Sequence, residues 1–364
     1  MTNCIDKKLK HKLNFRKEEG TLRSLSSFEG YIDFFSNDYL GFSKLDFNHS
    51  KIGGSSGSRL ISGTSTFVLE LEKSLAEKFH SESALIFNSG FDANLGLLGS
   101  VLQRSDIVIY DEFVHASIRD GIRLGNAKSY AFKHNSIEDL RTKLERFGKG
   151  VYVVIESLYS MDGDITPMHE VVNLCKEFEA YLIVDEAHSG GVYGRNGAGL
   201  ITAHNLDDQV FAKIITFGKA FGSHGAVVLG SNLLIEYLIN FSRSFIYTTA
   251  LPRHSYEIIN FVVNSESLIN LQQEKLKANI DFFNQLINQH FSDLDSPIKI
   301  IRLGDVKKTK ALAKTLNEKK IAVKPIFSPT VPQGSEGVRI CLHSFNSKDQ
   351  IETIASIVNE FISD

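Results

Sequence analysis

The segment AYLIVDEAHSGG, residues 180–191, passes directly from a short apolar run to two carboxylates, a histidine and two glycines. A run of this kind is typical of a strand that is buried on both faces, as the strands of parallel sheets are. Asp185 ends the run, and a carboxylate in such a place needs a cationic or N–H partner. The segment therefore predicts a core strand that leads into a polar site, although a helix N-cap or an internal salt bridge would also account for Asp185.

Similar apolar runs occur on both sides of this segment and alternate with segments whose apolar residues have helical spacing. The further strands predicted are SALIF (83–87), DIVIY (106–110), GVYVVIE (150–156) and AKIITF (212–217). The helices predicted beside them cover residues 67–79, 136–147 and 168–179. This alternation predicts an α/β domain in which a parallel sheet is covered by helices on both faces.

The pattern changes after about residue 255. A long helical stretch near residues 256–291 precedes two strand candidates, PIKIIRL and GVRICL, and helices around residues 308–318 and 348–361. A chain of 364 residues exceeds what one core usually holds. We expect a large domain over residues 45–255, a smaller α+β domain over residues 256–364 that begins with a long connecting helix, and an N-terminal segment, residues 1–44, that joins the small domain.

The bulk composition excludes several classes of protein. The formal net charge of −3 gives no electrostatic reason for a nucleic-acid partner. Three scattered cysteines indicate neither a disulfide framework nor a metal cluster. The basic N-terminus lacks the apolar core of a signal peptide, and no run approaches the roughly 18 apolar residues of a membrane span. We therefore expect a cytoplasmic protein with no metal site and no membrane or nucleic-acid partner.

Polar and glycine residues follow each predicted strand, at the sheet edge where ligands of open α/β sheets gather. Ser89 and Gly90 lie at a strand-to-helix turn, where free N–H groups can hold a phosphate, although a plain capped turn has the same sequence. Lys219 lies in GKAFG, among small residues. A desolvated lysine has a lowered pKa and attacks carbonyl groups, although a lysine that reaches solvent or an ion pair would fit the pattern too.

One cofactor would use Lys219, Asp185 and the turn at Ser89 and Gly90 together. Pyridoxal 5′-phosphate (PLP) has an aldehyde that suits Lys219, a pyridine nitrogen that suits Asp185, and a phosphate that suits the turn at Ser89 and Gly90. A carboxylate beside the ring nitrogen keeps that nitrogen protonated, so the ring can accept electrons. PLP is therefore the predicted cofactor.

A longer set of motifs resembles one family of such enzymes. In chain order they are SNDYLG (36–41), GSSGSRLISG (54–63), SGFDAN (89–94), HAS (115–117), ESLYSMDGD (156–164), VDEAHSGGVYG (184–194), TFGKAFG (216–222), IYTTALP (246–252), PTVPQG (329–334) and VRICL (338–342). With these motifs the chain resembles the α-oxoamine synthases, which are PLP enzymes of the aspartate-aminotransferase fold (fold type I). The resemblance implies a large domain with a mainly parallel sheet between helices and a smaller α+β domain.

The resemblance also implies roles for residues around the cofactor ring. Lys219 would hold the cofactor and then deprotonate the amino-acid substrate. Asp185 would pair with the pyridine nitrogen, and His115 would stack on the ring. His188 and Ser160 would contact the region of the ring hydroxyl.

Further roles concern the cofactor phosphate and the substrate. The residues implied near the phosphate are Ser89, Gly90, Phe91 and Thr216. Thr249 would reach the phosphate of the neighbouring subunit, which implies a homodimer with the active site at its interface. Asn37 and Arg339 would bind the substrate carboxylate, for which the planar fork of arginine is suited.

The family reaction is a decarboxylative condensation of an amino acid with an acyl thioester. The resemblance is strongest to the biotin-pathway branch, which implies L-alanine and pimeloyl-CoA or pimeloyl-carrier protein as substrates. In that branch an arginine near the N-terminus faces the far carboxylate of the pimeloyl chain. Arg23 in GTLRSL is the candidate, Arg16 is a rival, and a solvated helix charge explains either.

Other assignments stay open at this stage. The glycine acetyltransferase, serine palmitoyltransferase and cysteate acyltransferase branches share the residues of the sheet edge. A non-catalytic partner subunit with a PLP fold is a further alternative, against which the presence of both Lys219 and Asp185 argues.

Overall fold

The structure is a computed structural model that describes residues 4–22, 27–47, 54–288, 292–328 and 330–363, and for residues 4–8 it describes the backbone only. The helices are α1 Cys4–Glu18, α2 Thr66–Lys78, α3 Gly90–Val101, α4 Ala116–Gly125, α5 Ile137–Phe147, α6 Met168–Glu177, α7 Leu200–Ala203, α8 Asn232–Phe241, α9 Arg243–Ile246, α10 Arg253–Asn264, α11 Glu266–Leu286, α12 Val306–Glu318 and α13 Lys348–Ser363. The strands are β1 Ile32–Asp33, β2 Ser83–Phe87, β3 Ile107–Asp111, β4 Lys128–Phe132, β5 Tyr152–Glu156, β6 Tyr181–Asp185, β7 Ala212–Thr216, β8 Ala226–Gly230, β9 Ile298–Arg302, β10 Ile321–Ala322, β11 Lys324–Ile326 and β12 Gly337–Cys341.

The main sheet of the described chain has seven strands in the order β2-β8-β7-β6-β5-β3-β4. β8 pairs antiparallel with both β2 and β7, and the other pairings are parallel. The predicted strands SALIF, DIVIY, GVYVVIE, AYLIV and AKIITF all lie in this sheet, which confirms the predicted α/β fold with a mainly parallel sheet. Neither β4 nor β8 was predicted from the sequence. β4 is mostly exposed at the sheet edge, and β8 follows the glycines of the loop that carries Lys219.

The strands next to the sheet centre are apolar because both of their faces are covered. Separate apolar clusters lie on the two sides of the sheet, one containing Ile183 and Ile214 and another containing Leu182 and Val184. Alternate residues of β6 therefore point into different clusters, as the period of two in a strand requires. This burial explains why the strands read as continuous apolar runs rather than as alternating patterns.

A second sheet of three antiparallel strands, β11-β12-β9, forms from the C-terminal part of the chain. Its strands include the predicted PIKIIRL and GVRICL. The N-terminal β1 pairs in parallel with β10, so residues 32 and 33 join this part of the molecule. The proposed domain limits at residues 44 and 255 stay a prediction.

The prediction of a single long helix over residues 256–291 is wrong, because the helix is broken at Ser265 into α10 and α11. The Ser265 backbone leaves the helical region, with ψ of 58°. Its hydroxyl donates a hydrogen bond to the carbonyl of Phe261 at 2.7 Å. Such bonding to the preceding turn competes with helical hydrogen bonds, which accounts for the break. Among the described residues, no helix combines the length and apolar character needed to cross a membrane.

The loop that carries Lys219 docks against the N-terminal segment through Gly222. This glycine has φ of +58°, and a Cβ atom placed on it would lie within 3.0 Å of backbone atoms of Phe42 and Ser43. The backbone of Phe42 cannot move freely, because its side chain is 1% exposed in the core. Gly222 is therefore required for both its conformation and its lack of a side chain.

We expect Gly222→Ala to lower the free energy of unfolding by about 2–4 kcal/mol, since it combines a left-handed backbone with an overpacked contact. Gly150→Ala is the matched control. Gly150 also has positive φ, at +74°, but nothing lies within 4 Å of the position that an added methyl group would take. That change should cost about 1–2 kcal/mol, from conformation alone. Urea unfolding of both variants measures the difference, and equal losses would show that the contact with Phe42 is not tight.

Candidate active site

Strand pairing brings the predicted site residues to one edge of the main sheet. In the register of β5 and β6, Glu156 lies opposite Asp185, and on the other side Asp185 lies opposite Ile214 of β7. The chain continues from β7 through Thr216 to Lys219. Because the carboxyl ends of parallel strands share an edge, these groups converge from three neighbouring strands.

Asp185 is 5% exposed, and both of its carboxylate oxygens are held. Oδ1 accepts the backbone N–H of Ala187 at 2.9 Å, and Oδ2 accepts Nδ2 of Asn94 at 2.7 Å. Hydrogen bonds of this kind suit a carboxylate and fix the direction of its remaining lone pairs. Asp185 is thus an oriented, buried anion rather than a helix N-cap.

Lys219 is half-buried beside this anion. Burial lowers the pKa of its ammonium below the usual 10.5, while the negative charges of Asp185 and Glu156 act in the opposite direction. In the described part of the chain its Nζ has neither a hydrogen bond nor an ion pair. Lys219 therefore combines a lowered pKa with a free amine, which is the state of a lysine nucleophile.

Glu156 was not recognised as a site residue from the sequence. It is 4% exposed, and its Oε1 accepts the backbone N–H of His115 at 2.6 Å. Burial and the adjacent charge of Asp185 raise its pKa. Its place at the end of β5, next to Asp185 in β6, was the signal in the sequence that could have identified it.

His115 caps the N-terminus of α4, and its ring is exposed toward the site. Its Nδ1 lies 2.8 Å from Oγ of Ser117 and accepts the Ser117 backbone N–H at 3.2 Å. Partial desolvation, helped by the positive charge of Lys219, lowers the pKa of His115. The ring is therefore neutral near pH 7 and available for stacking.

The proposed phosphate turn forms at the N-terminus of α3. Ser89 is the N-cap, and its hydroxyl accepts the N–H of Asp92 at 3.1 Å and donates to Oδ2 of Asp92 at 2.8 Å. Thr216 lies beside Gly90, 3.5 Å from where a Cβ of that glycine would be. The helix N-terminus and Thr216 thus line one small region that suits an anion.

The two residues predicted to bind the substrate carboxylate are in direct contact. Nη2 of Arg339 donates to Oδ1 of Asn37 at 2.9 Å, and its Nε donates to the carbonyl of Ser160 at 2.7 Å. Nη1 has no hydrogen bond in the described chain, so two N–H donors stay available. Because Asn37 uses its oxygen for Arg339, its amide hydrogens are also available to a carboxylate.

Tyr39 links this pair to His188 and was also missed from the sequence. Its hydroxyl is 2.8 Å from Nδ1 of His188, 3.2 Å from Oδ1 of Asn37 and 3.4 Å from Nη2 of Arg339. Burial, together with the positive charge of Lys219, lowers the pKa of His188 well below 6.5. His188 is therefore neutral, and Nε2 is its unengaged nitrogen among the described contacts. The position of Tyr39 within SNDYLG was the available signal.

A cavity of ≈ 660 Å³ opens beside these residues. His115, Ser160 and Met161 line one side, and residues 330–332 line another. Its volume is within the range of small-molecule sites. A substrate chain can therefore approach the residues at the sheet edge from this side.

Other predicted residues lie at the margin of the site or beyond the described chain. Phe91 is 44% exposed, with its ring centroid 6.4 Å from that of His115 in an edge-to-face arrangement. Thr249 is exposed, and its carbonyl accepts Nδ2 of Asn88 at 2.8 Å. Arg23 lies outside the residues that the structure describes.

The arrangement fits PLP on three independent observations. A free amine with a lowered pKa is present, a buried carboxylate is held by two N–H donors, and a helix N-terminus lies at the same edge. These are the groups that suit an aldehyde, a pyridinium nitrogen and a phosphate.

Comparisons with known proteins agree with this site. A family model described as aminotransferase class I and II matches residues 29–358. The 8-amino-7-oxononanoate synthase of Emericella nidulans is 34% identical over 97% of this chain and 96% of its own length. The crystal structure of 8-amino-7-oxononanoate synthase from Francisella tularensis is 32% identical, with a TM-score of 0.79 over 92% of this chain and 98% of that one. Serine palmitoyltransferase from S. paucimobilis, with bound PLP–myriocin aldimine, has a TM-score of 0.86 at 26% identity over 99% of this chain and 98% of that one.

These similarities in sequence and in fold extend over nearly the whole chain. They confirm PLP as the cofactor. The chain belongs to the aminotransferase class I and II family and, within it, to the α-oxoamine synthases, which are PLP-dependent acyltransferases of fold type I.

Proposed function

We propose that the enzyme condenses L-alanine with a pimeloyl thioester, of CoA or of a carrier protein, to give 8-amino-7-oxononanoate, CO2 and the free thiol, in biotin biosynthesis. The observation that carries the proposal is the free amine of Lys219 beside the oriented anion of Asp185, next to an arginine with two available donors. The choice of substrates rests on relatives named 8-amino-7-oxononanoate synthase that match almost the full chain.

Lys219 is the proposed proton-transfer group. PLP, when bound, supplies an aldehyde for amine exchange and a conjugated ring that stabilises negative charge at Cα. Lys219 would hold the cofactor, and its neutral amine would remove the Cα proton of the bound amino acid. Its lowered pKa suits both roles, because the amine is neutral closer to working pH than an ordinary lysine is.

Arg339 and Asn37 are the proposed carboxylate-binding residues. Two N–H donors on Nη1 of Arg339 and the amide of Asn37 would hold the alanine carboxylate and so orient the Cα–H bond toward Lys219. Asp185 would pair with the ring nitrogen, His115 would stack on the ring, and His188 would reach the ring hydroxyl through Nε2. Ser160 is assigned to the same region.

The remaining roles belong to the phosphate, the dimer and the acyl chain. The proposed phosphate ligands are Ser89, Gly90, Phe91 and Thr216. Thr249, which is exposed, would reach the phosphate of a second copy of the chain in a homodimer. Arg23 is proposed to face the far carboxylate of the pimeloyl chain. A cytoplasmic location fits the biosynthetic relatives and is part of the proposal.

A second candidate is another α-oxoamine synthase, in particular one that uses L-serine and a fatty acyl-CoA. The fold similarity to serine palmitoyltransferase over 99% of this chain supports it. The sheet-edge residues serve the chemistry common to both enzymes, so they do not distinguish them.

The first test is thiol release from acyl thioesters by the purified holoenzyme. L-alanine, glycine, L-serine and L-cysteate are each paired with pimeloyl-CoA, palmitoyl-CoA and acetyl-CoA. We expect release only with L-alanine and pimeloyl-CoA, because those are the substrates of the assigned branch. Activity with another pair would retain the role of Lys219 but reject the proposed substrates.

A second prediction concerns the pH at which Lys219 reacts. Only the neutral amine attacks the aldehyde, so the rate at which apoenzyme captures PLP should rise with a midpoint well below pH 10.5. In Asp185→Asn the midpoint should move lower, since the carboxylate raises the pKa of the lysine. Stopped-flow absorbance against pH measures the rate, with free Nα-acetyl-lysine as the reference. A midpoint equal to that of the reference, or capture by Lys219→Ala, contradicts the assignment.

A third prediction concerns Asp92, whose carboxylate lies in the first turn of α3 and engages the hydroxyl of Ser89. An anion there stabilises the helix but repels a phosphate at the same N-terminus. Asp92→Asn should therefore bind PLP about threefold to tenfold more tightly. Glu138→Gln, which neutralises an acid in the first turn of α5, is the control and should leave affinity unchanged. Equal or weaker binding by Asp92→Asn, measured by equilibrium dialysis, would exclude a phosphate at this turn.

A further inference from the structure

Two buried side chains connect Asp185 to His115, and neither belongs to the roles assigned above. Asn94 is 2% exposed and Ser117 is 0% exposed. Nδ2 of Asn94 lies 2.7 Å from Oδ2 of Asp185 and 3.1 Å from Oγ of Ser117. Oγ of Ser117 lies 2.8 Å from Nδ1 of His115. A continuous hydrogen-bonded path therefore runs from the anion of the site to its exposed imidazole.

The direction of each hydrogen bond in this path is fixed by chemistry. An ionised carboxylate only accepts, so the nitrogen of Asn94, and not its oxygen, faces Asp185. The same nitrogen donates to Ser117, whose hydroxyl then has its own proton left for His115. Nδ1 of His115 also receives the backbone N–H of Ser117 at 3.2 Å, and that group only donates.

These directions determine the tautomer of His115. Because Nδ1 accepts two hydrogen bonds, the single ring proton of the neutral imidazole must lie on Nε2. One amide, that of Asn94, thus orients the carboxylate of Asp185 and, through Ser117, fixes the tautomer of the ring proposed to stack on the cofactor.

We propose that Asn94 and Ser117 are positioning residues that together hold Asp185 in its orientation and hold His115 as the neutral Nε2–H tautomer. This inference rests on the cofactor site of the proposed function but not on its acyl donor. A neutral ring over the cofactor adds no positive charge next to the pyridinium nitrogen that Asp185 is to stabilise. Loss of the Asn94 amide removes one of two donors from Asp185 and loosens the hydroxyl of Ser117.

Asn94→Leu is the informative variant, since leucine has the same branched arrangement of heavy atoms as asparagine and removes the donor. Oδ1 of Asn94 has no hydrogen-bond partner within the described residues. Replacing this oxygen therefore leaves no described donor without its acceptor. Asn284→Leu is the matched control. Its Oδ1 also lacks a partner among the described atoms, and its Nδ2 donates to the carbonyl of Leu294, away from the sheet edge.

The measurements use PLP and L-alanine without any acyl thioester, so they do not depend on which donor the enzyme uses. In Asn94→Leu we expect PLP to bind about tenfold more weakly, as loss of a hydrogen bond to a charged group implies. The pH midpoint of the visible absorbance of bound PLP should shift, and exchange of the alanine Cα proton should slow. Asn284→Leu should match the wild type in all three.

Ser117→Ala tests the second half of the path and is a small change that the fold should tolerate. Nitrogen-15 NMR of histidine-labelled protein distinguishes a protonated from an unprotonated Nδ1, with His115→Asn used to assign the signal. The wild type should show an unprotonated Nδ1 for His115. Ser117→Ala should show a larger fraction of the Nδ1–H tautomer, because it loses the hydroxyl at 2.8 Å and keeps only the longer backbone N–H contact at 3.2 Å. A wild-type proton on Nδ1 would overturn the proposal, as would Asn94→Leu behaving like Asn284→Leu.

Discussion

The pairing of β6 between β5 and β7 is the constraint on which the site depends. Backbone hydrogen bonds set Glu156 opposite Asp185 and Asp185 opposite Ile214, so neither carboxyl group can shift along its strand without moving the sheet. A slip of one residue would turn each side chain to the other face. The apolar clusters on the two faces oppose that slip, because it would move Ile183 into the cluster that holds Leu182 and Val184 and disrupt the packing of both. The core of the sheet thus fixes the position of the charge at its edge.

This fixed edge has electrostatic consequences for the residues around it. Burial raises the pKa of Glu156 and lowers that of Lys219, so it favours the uncharged form of each. His115 and His188 are neutral for the same reason. Asp185, by contrast, is held by two N–H donors. It is therefore suited to the role proposed for it, as the partner of a protonated pyridine nitrogen.

Sequence patterns indicated candidate residues where a single segment carried the information. Lys219 and Asp185 each stood out against apolar or small neighbours, and the strand that precedes each of them was confirmed. Asn37 and Arg339 needed the family resemblance, because they are 302 positions apart and meet only when β12 and the N-terminal segment are folded together. Tyr39 was missed although it lies in SNDYLG, because that motif does not show which side chain the hydroxyl meets, and its partner His188 is 149 positions away. Hydrogen bonds that depend on tertiary packing leave no periodic pattern in a sequence.

In the proposed carboxylate site, such long-range contacts orient Arg339 without any ligand. Two of its nitrogens are already committed, Nε to the carbonyl of Ser160 in the large sheet's loop and Nη2 to Asn37 in the N-terminal segment. Arg339 is buried, with 8% of the residue exposed, and these bonds fix the orientation of its guanidinium without a substrate. A carboxylate that binds at Nη1 therefore breaks none of them. The entropy cost of bringing the three chain segments together is met when the chain folds. Ligand binding then costs only the entropy of ordering the ligand itself.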